Sequence, residues 1–506
     1  MSDINVTAET IDLIKGVQAT PDELIKSFVQ PGSATTGLQA YNLEGPSKKL
    51  IPVLTPLRNM IARVTGGFAI QANWKAITNI NVGNVRAGVS EGRRGGVITH
   101  AQSEYLAAFR GFGLENNVTF EAGYASKNYE DVKALAVSST LRATMIQEER
   151  LILGGNTSFA LGVTPTPTLV ASGTGGTLAT QTLSVICVAL GLQAYLDVAG
   201  VNNGSVGQSV DLVNGVPGVI SRPNADGTTE TFGGGSAQKS VAATVAVTGA
   251  TGSATATVVP VRGATGYAWF TGAAGSERLT VVTTIASALI TAAPGGSNQL
   301  ASALAASDNS TSSLDFDGLL TMAFNPALNA YYYQMPAGTA GIGTGLTADG
   351  AGGIAEFEAA FVSFYNKYRL SPTRIFVSSQ ELINITKKII ANGGAPLLRL
   401  NVNASNEGTL QAGTVVGSYL NKVTGNVIPV VVHPNVPAGT VFFFTESLPY
   451  DASGIGDTCR MLMRQDYYQL EWPLKSRKYE YGVYADGVLQ HYAPFSMGVI
   501  TGIGNA

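Results

Sequence analysis

The chain has 506 residues, too many for one compact core, so two to four domains are expected. Only 13% of the residues are charged, and 31 Lys and Arg stand against 34 Asp and Glu for a net charge of −3, which argues against a protein whose task is to neutralise nucleic-acid phosphates. A surface this poor in charge suits a chain that buries large areas against other subunits.

The opening stretch MSDINVTAETIDLIKG lacks the basic flank and continuous apolar run of a secretory signal. The best apolar stretch, LSVICVALGLQAYL, is short for a membrane span and is interrupted by Gly191 and Gln193. Synthesis and folding in a cytoplasm, with no membrane partner, are therefore expected. Cys187 and Cys459 stand too far apart to suggest a disulfide framework or a zinc set, and read as small buried hydrophobes.

Residues 1–50 read as an arm with too few apolar positions for a core. Within it, Thr20, Pro21 and Glu23 form a helix start with a capping box, and the helix stops near Pro31 and Gly32. Residues 51–65 are a lead-in, with Pro52 and Pro56 ahead of a helical stretch. Over 66–125, GGFAIQANWKAITNINV and EYLAAFRGFGLENNVTFEA read as extended segments flanking VRAGVSEGRRGGVITHA. The result is a long two-stranded arm with a glycine-rich tip. An isolated two-stranded ribbon is barely stable in water, so its apolar side chains need a partner surface.

A long helix is expected within 126–162. Val132, Leu135, Ala136, Ala143, Ile146 and Leu153 share one stripe, Glu130 and Asp131 occupy the first turn, and Gly154 with Gly155 close it. At 1.5 Å per residue this is a rod of about 40 Å. From 163 to 312 the chain turns to Gly, Thr, Ser, Ala and Val, with short strands between turn signals, as in a β-sandwich inserted into the rest. SVICVALGL reads there as a first buried strand or a helix, the strand being preferred. GATGYAWFTGAAGSERLTVVTTIASALITAAPGG resembles the central strands of an immunoglobulin or fibronectin type III domain, with Tyr267 and Trp269 alternating toward a core and Leu279, Val281 and Ile285 following.

Helix and strand signals return over 313–506. Ile354, Phe357, Phe361, Phe364 and Tyr368 make an apolar helical stripe. Ser378 and Glu381 form a capping box for the next helix, which Asn392, Gly393 and Gly394 end. NVIPVVVHPNVPAGTVFFF, CRMLMRQDYYQLEW, KYEYGVYADGVLQHYAP and FSMGVITGI then read as strands.

No chemistry-bearing constellation emerges. His100, His433 and His491 are scattered, and GxSxG and GxxxxGK[ST] are absent. GIGTGLTADG lacks dinucleotide spacing and reads as a mobile or interface loop. Asp315, Asp317 and Asp466 have no evident partners and read as solvated or turn acids. Tyr331, Tyr332 and Tyr333 lack interleaved basic groups and read as packing residues. No enzyme activity, cofactor or metal is expected.

The elements taken together carry a resemblance. SEGRRGG at 90–96, the long helix at 127–154, TRIFVSSQELINITKKI, GNVIPVVVHPNVPAGTVFFF and YEYGVYADGVLQHYAPFSMGVIT resemble, in this order, the major capsid protein of tailed phages, the Hong Kong 97-type shell fold. The resemblance covers about 350 residues and leaves the sandwich over. It implies an α+β fold with N-arm, extended loop, a peripheral domain with its spine helix, and an axial domain, carrying an all-β immunoglobulin-like insertion. It further implies hexamers and pentamers tiling an icosahedral head around packaged double-stranded DNA without sequence-specific binding, with scaffold and portal proteins as partners and the virion as location.

On this resemblance the glycine tip reaches over a neighbouring subunit, and Arg86, Glu91, Arg93 and Arg94 are the expected intersubunit contacts. Some members weld subunits through a loop lysine, but the only lysine between Gly66 and Gly113 is Lys75, away from the tip, so welding is not expected here. An encapsulin-type compartment is the alternative that keeps the fold, distinguished by enzyme cargo in place of DNA. A β-sandwich cell-surface adhesin is the alternative from another class, against which the two helices and the unsignalled start weigh. An enzyme with an accessory sugar-binding sandwich lacks a site.

Overall fold

The computed structural model describes residues 48–81, 86–127, 129–199, 208–209, 214–391, 398–402, 408–412, 415–451 and 453–505. Nearly all of the expected N-terminal arm, with its helix start at Thr20, lies outside the described residues, as do the Asn392–Gly394 helix stop and the segment 82–85 next to the loop tip. Two compact units are distinguished, Met1–Ile51 with Phe120–Val132, and Pro52–Thr119 with Lys133–Ala506. In the first unit, Phe120–Ala125 is a short helix (α2), followed by a turn in which Tyr129 N donates to Ser126 O at 2.9 Å. The other described elements belong to the second unit, the long helix from Lys133 onward.

A short helix, Pro56–Met60 (α1), leads into strand Ala62–Thr65 (β1). The ribbon is an antiparallel pair, Gln71–Asn81 (β2) with Thr99–Ala108 (β3), whose register runs from Gln71 opposite Ala108 to Asn81 opposite Thr99 with an irregularity between Ile77 and Asn79. The extended segment expected through 66–125 is broken at Phe109, which is buried. Beyond it, Arg110–Thr119 (β4) leaves the ribbon and joins a four-stranded sheet in the order β1–β22–β23–β4, where β22 is Cys459–Glu471 and β23 is Lys478–His491. The break is physical: the Phe109 side chain enters the body, so the chain must turn to follow it.

The long helix is Val132–Gly154 (α3), 23 residues. Its buried face is Ala136, Thr140, Thr144, Glu148, Glu149, Ile152 and Leu153, while Leu135, Ala143 and Ile146 of the expected stripe are only half-buried. Thr140 and Thr144 satisfy their hydroxyls on the carbonyls four residues back, at 2.8 and 2.9 Å, which permits a polar side chain on the inner face.

The insertion contains two antiparallel sheets facing each other across one apolar core. One has three strands, in the order Ser287–Ile290 (β14), Ser253–Thr257 (β11), Thr168–Ser172 (β5). The other has five, in the order Ala243–Val247 (β10), Gln181–Leu190 (β6), Gly266–Gly272 (β12), Arg278–Thr283 (β13), Gln208–Ser209 (β7). A hairpin, Val219–Pro223 (β8) with Thr229–Gly233 (β9), and a helix, Leu192–Ala199 (α4), are added to it. The strand order is not that of an immunoglobulin domain, where the first two strands share a sheet; here β5 and β6 lie in different sheets.

Nor does the five-stranded sheet present a free second face. Leu183, Val185, Cys187 and Ala189 of β6 line the sandwich core, whereas Ile186, Val188 and Leu190 enter the core of Leu153 and of Leu319–Phe324 (α5). A sheet apolar on both faces must be covered on both, so the insertion is packed into the body.

Leu279 and Val281, two residues apart on β13, enter different cores. A register shift opposite Trp269 and Phe270 sends Val281 into the sandwich with Trp269, and Leu279 into the body core with Phe270. The buried Trp269 Nε1 donates to Thr283 Oγ1 at 2.8 Å.

The remaining chain builds a six-stranded sheet in the order Tyr331–Gln334 (β15), Gly498–Thr501 (β24), Val441–Phe444 (β21), Arg374–Val377 (β16), Val427–Val432 (β20), Ser418–Leu420 (β19). Against it lies Ala355–Tyr368 (α6), whose Phe357, Phe361 and Phe364 meet Phe443 edge-on at centroid distances of 5.4, 5.8 and 6.2 Å. Ile354 and the three phenylalanines are buried as the stripe predicts.

The helix Ser379–Ala391 (α7) follows β16. Ser378 Oγ accepts from Glu381 N at 3.2 Å as a cap. Glu381 does not close the capping box: it turns into the body and accepts from Gly439 N at 3.1 Å and from Asn384 Nδ2 at 3.2 Å.

Candidate functional site: the exposed ribbon and its anchors

The ribbon leaves the body with its apolar side chains in water. Ile77 is 68% exposed, Leu106 65% and Val97, beside the tip, 85%. Eleven residues of β2 at about 3.3 Å each give an arm of about 36 Å. Lys75 and Glu104 face each other at 3.8 Å, both more than half exposed, so the pair contributes little.

Arg86, Glu91, Arg93 and Arg94 are exposed together at the tip. None of the four makes a side-chain hydrogen bond or ion pair among the described residues. Within the tip, Arg93 N donates to Ser90 O at 3.1 Å. Gly92 has φ +73, a turn that a side chain would strain.

At its base the ribbon is firmly held. Trp74 Nε1 donates to His491 O at 3.0 Å, and its ring packs on Tyr105 at 5.8 Å. Arg464 donates to Ala69 O at 2.9 Å while its guanidinium lies over the Phe109 ring at 5.0 Å. Gly67 N donates to Met463 O at 3.0 Å. A stiff root with an unsupported blade is the geometry of a projecting arm.

Beside the root lies a polar clasp that no sequence motif announces. Glu148, its side chain fully buried on α3, accepts from Arg63 Nη1 at 2.5 Å, from Arg58 Nε at 3.1 Å and from the Tyr467 hydroxyl. Both guanidiniums lie over the Tyr467 ring, at 5.2 and 4.9 Å. Arg63 also holds Asp466 at 2.5 Å, and that bond keeps the Asp466 carboxyl below its usual range. Asp466 is thus paired, contrary to the solvated role expected of it.

Next door, Glu149 accepts from Leu57 N at 2.9 Å and Arg58 N at 2.7 Å, capping α1 from a distance in sequence. His433 Nδ1 accepts from Asn435 N at 3.1 Å, which assigns the hydrogen to Nε2, donating to Glu149 at 2.6 Å. The clasp fixes lead-in, helix α3 and strand β22 in one piece.

The other acids and aromatics set aside from sequence also have partners. Asp317 accepts from Thr157 N at 2.8 Å and from Ser158 N at 3.0 Å. Burial pushes the Asp315 carboxyl up to about 6. Tyr332 packs on Phe324 at 6.1 Å and carries Arg262 over its ring at 4.4 Å, a basic neighbour contributed by the insertion. The GIGTGLTADG loop is packed at Gly343 against Ile285 and Gly504, and its Asp349 is ion-paired with Lys422. Among the described residues no group of three or more His, Cys, Asp and Glu is placed to hold a metal, and no helix is long and apolar enough to cross a membrane.

No protein-family model matches the chain, and no curated protein matches it. Solved structures similar to it include the capsid of Myoviridae phage XM1, at 8% identity and TM-score 0.39 over 92% of this chain and 97% of that one. The cyanophage A-1(L) capsid asymmetric unit is similar at 9% identity and TM-score 0.40 over 92% and 97%. The holo-SrpI encapsulin complex of Synechococcus elongatus PCC 7942 is similar at 8% and 0.37 over 92% and 94%. Likeness at this level carries no argument, and the functional reading stands on the chain's own ribbon, clasp and charge pattern.

Proposed function

We propose that this chain is a shell-building structural protein, the major capsid protein of a tailed phage with the Hong Kong 97-type α+β fold. Copies assemble as hexamers and pentamers into an icosahedral head around packaged double-stranded DNA, with scaffold and portal proteins as partners. The observation that carries the reading is the ribbon: a rooted arm whose Ile77, Leu106 and Val97 stand in water. Apolar area left exposed to that degree favours association at about 25 cal/mol per Å² buried, before the costs of ordering are subtracted. A second copy supplies a surface for it at every position of a closed lattice. Arg86, Glu91, Arg93 and Arg94 make the intersubunit contacts in this reading, and the inserted β-sandwich serves as a reinforcement of each subunit. The near-neutral net charge fits DNA driven in by a separate motor.

Sedimentation and negative-stain microscopy of the purified protein test it. Uniform closed particles, tubes or hexameric tiles are the expected result, with DNA inside native particles. A species that stays monomeric at high concentration, with 71–108 protected from proteolysis by its own body, would refute it. Particles filled with an enzyme would move the assignment to an encapsulin-type compartment.

A further inference from the structure

A cleft of about 950 Å³ opens beneath the β8–β9 hairpin, between that hairpin, strand β4, helix α3 and the β22–β23 turn. Its walls carry six carboxyl groups against two basic ones, Arg222 and Lys475, so 2 − 6 = −4. Arg222 binds Glu230 at 2.5 Å and lies over the Phe232 ring at 5.6 Å, Lys478 binds Glu480 at 2.6 Å and Arg150 faces Asp197 at 3.9 Å, so that among the described residues Glu115, Asp226 and Asp315 are the wall carboxyls without an ion pair. Asp226 sits exposed at the hairpin tip, and Asp315 is set deep in the cleft beside Asp317. Apolar surface is present as well, in Phe232, Trp472 and the stacked pair Tyr468 and Tyr484 at 6.0 Å.

The ribbon tip has the opposite character. Over 86–98 it carries three arginines and one glutamate, 3 − 1 = +2, alongside exposed Val89, Val97 and Ile98. Gly88 and Gly92 have nothing within 4 Å of where a Cβ would stand, so the backbone there is free to lie against a foreign surface.

We propose that the acidic cleft under the β8–β9 hairpin receives the arginine-bearing ribbon tip of a second copy of this chain. The assignment rests on the shell reading above and deepens it by naming the receptor for the tip. Opposite charge orients the approach, and the aromatic wall covers the valines and isoleucine once it is made. Placing the receptor in the insertion gives that module a part in assembly as well as in packing. Arg93 and Arg94 meet carboxylates on the rim and floor, where each guanidinium is suited to two-point bonding.

The test is a pair of cysteines, Ser90→Cys at the tip and Ala225→Cys on the hairpin, both at exposed positions, in full-length assembled protein. The native Cys187 and Cys459 are buried, so the introduced thiols are the reactive ones. A short bismaleimide is expected to give an intermolecular ladder on a denaturing gel. Adding Arg93→Ala and Arg94→Ala is expected to slow its formation at least tenfold at low salt. Ser90→Cys paired with Ser172→Cys, on the outer face of the three-stranded sheet, is expected to give none.

Intact particles with no ladder, an intramolecular product, or a ladder equal to that of the Ser172→Cys pair would overturn the cleft assignment and leave the shell reading standing. Failure of the unmodified protein to assemble would overturn both.

Discussion

Glu381 offers the sharpest check of the packing between the strand–helix unit and the insertion. Its side chain is fully buried at the start of α7, with Oε1 bonded to Gly439 N and Asn384 while Oε2 has no partner. Thr284 Oγ1, on the insertion side of Gly439, is likewise buried without one. Burial raises the Glu381 carboxyl to about 8 from its ordinary 4.5, the Gly439 and Asn384 bonds opposing the shift. The folded state therefore holds a proton that the unfolded chain releases, and stability is fully present below about pH 4.5 and is lost as pH rises toward 8. At about 1.4 kcal/mol per unit, that window amounts to a loss of up to about 5 kcal/mol.

Glu381→Gln keeps the acceptor for Gly439 and removes the titration. The variant is expected to match the parent near pH 5 and to gain steadily on it up to pH 8, beyond which the difference is constant. His491, also buried, has its pKa lowered by desolvation to about 3 and tilts stability the opposite way on the acid side. Taking the variant-minus-parent difference cancels that contribution. Urea unfolding of dissociated subunits at half-unit steps from pH 5 to pH 9 reads the difference directly. A difference that stays flat across that range would refute the assignment of a buried, protonated Glu381.

Glu149→Ala strands the buried His433 N–H and the Leu57 and Arg58 N–H groups together, and an expected loss of about 3–5 kcal/mol should appear in the denaturant midpoint and in faster proteolysis after Arg58. Gly498→Ala puts a Cβ 2.6 Å from Phe364 Cζ and 3.0 Å from Tyr331 Cβ in the middle of the six-stranded sheet. An overpacking cost of about 1–3 kcal/mol follows, and Phe364→Leu in the same chain should recover part of it in thermal unfolding.

What was legible in the sequence had its cause close by. The α6 stripe reads correctly because Ile354, Phe357, Phe361 and Phe364 face one core at helical spacing. The ribbon is legible because a glycine-rich charged stretch separates two extended runs, and those runs pair as β2 and β3. Where the stabilising partner is remote, the pattern misleads. Helix α3 buries Glu148 and Glu149, residues any periodicity count places outside, because Arg58 and Arg63 reach them from some ninety residues upstream. Asp466 reads as solvated because its partner, Arg63, is 403 positions away. The run in β6 is apolar without alternation because both of its faces are covered, and only the second core, invisible in sequence, shows that the insertion is packed into the body.

The distribution of the scarce charges ties these observations together. Arg58, Arg63, Glu148 and Asp466 are joined in one clasp, Arg464 holds Asp486 at 2.6 Å, Arg374 holds Glu446 at 2.5 Å, and Lys422 bridges Asp349 and Glu358. Charges engaged inside the subunit leave the outer strands of the insertion and much of the ribbon neutral, and burying neutral surface carries no ionic desolvation cost. Association along the ribbon should then be indifferent to salt, because it depends on apolar area. The tip is the exception: on the proposed docking, three arginines facing an acidic cleft make a contact that a Debye length of about 8 Å at physiological ionic strength screens appreciably. On the shell reading proposed above, such a subunit separates its two tasks, with apolar area setting the strength of association and a few exposed charges setting where on the neighbour the arm comes to rest.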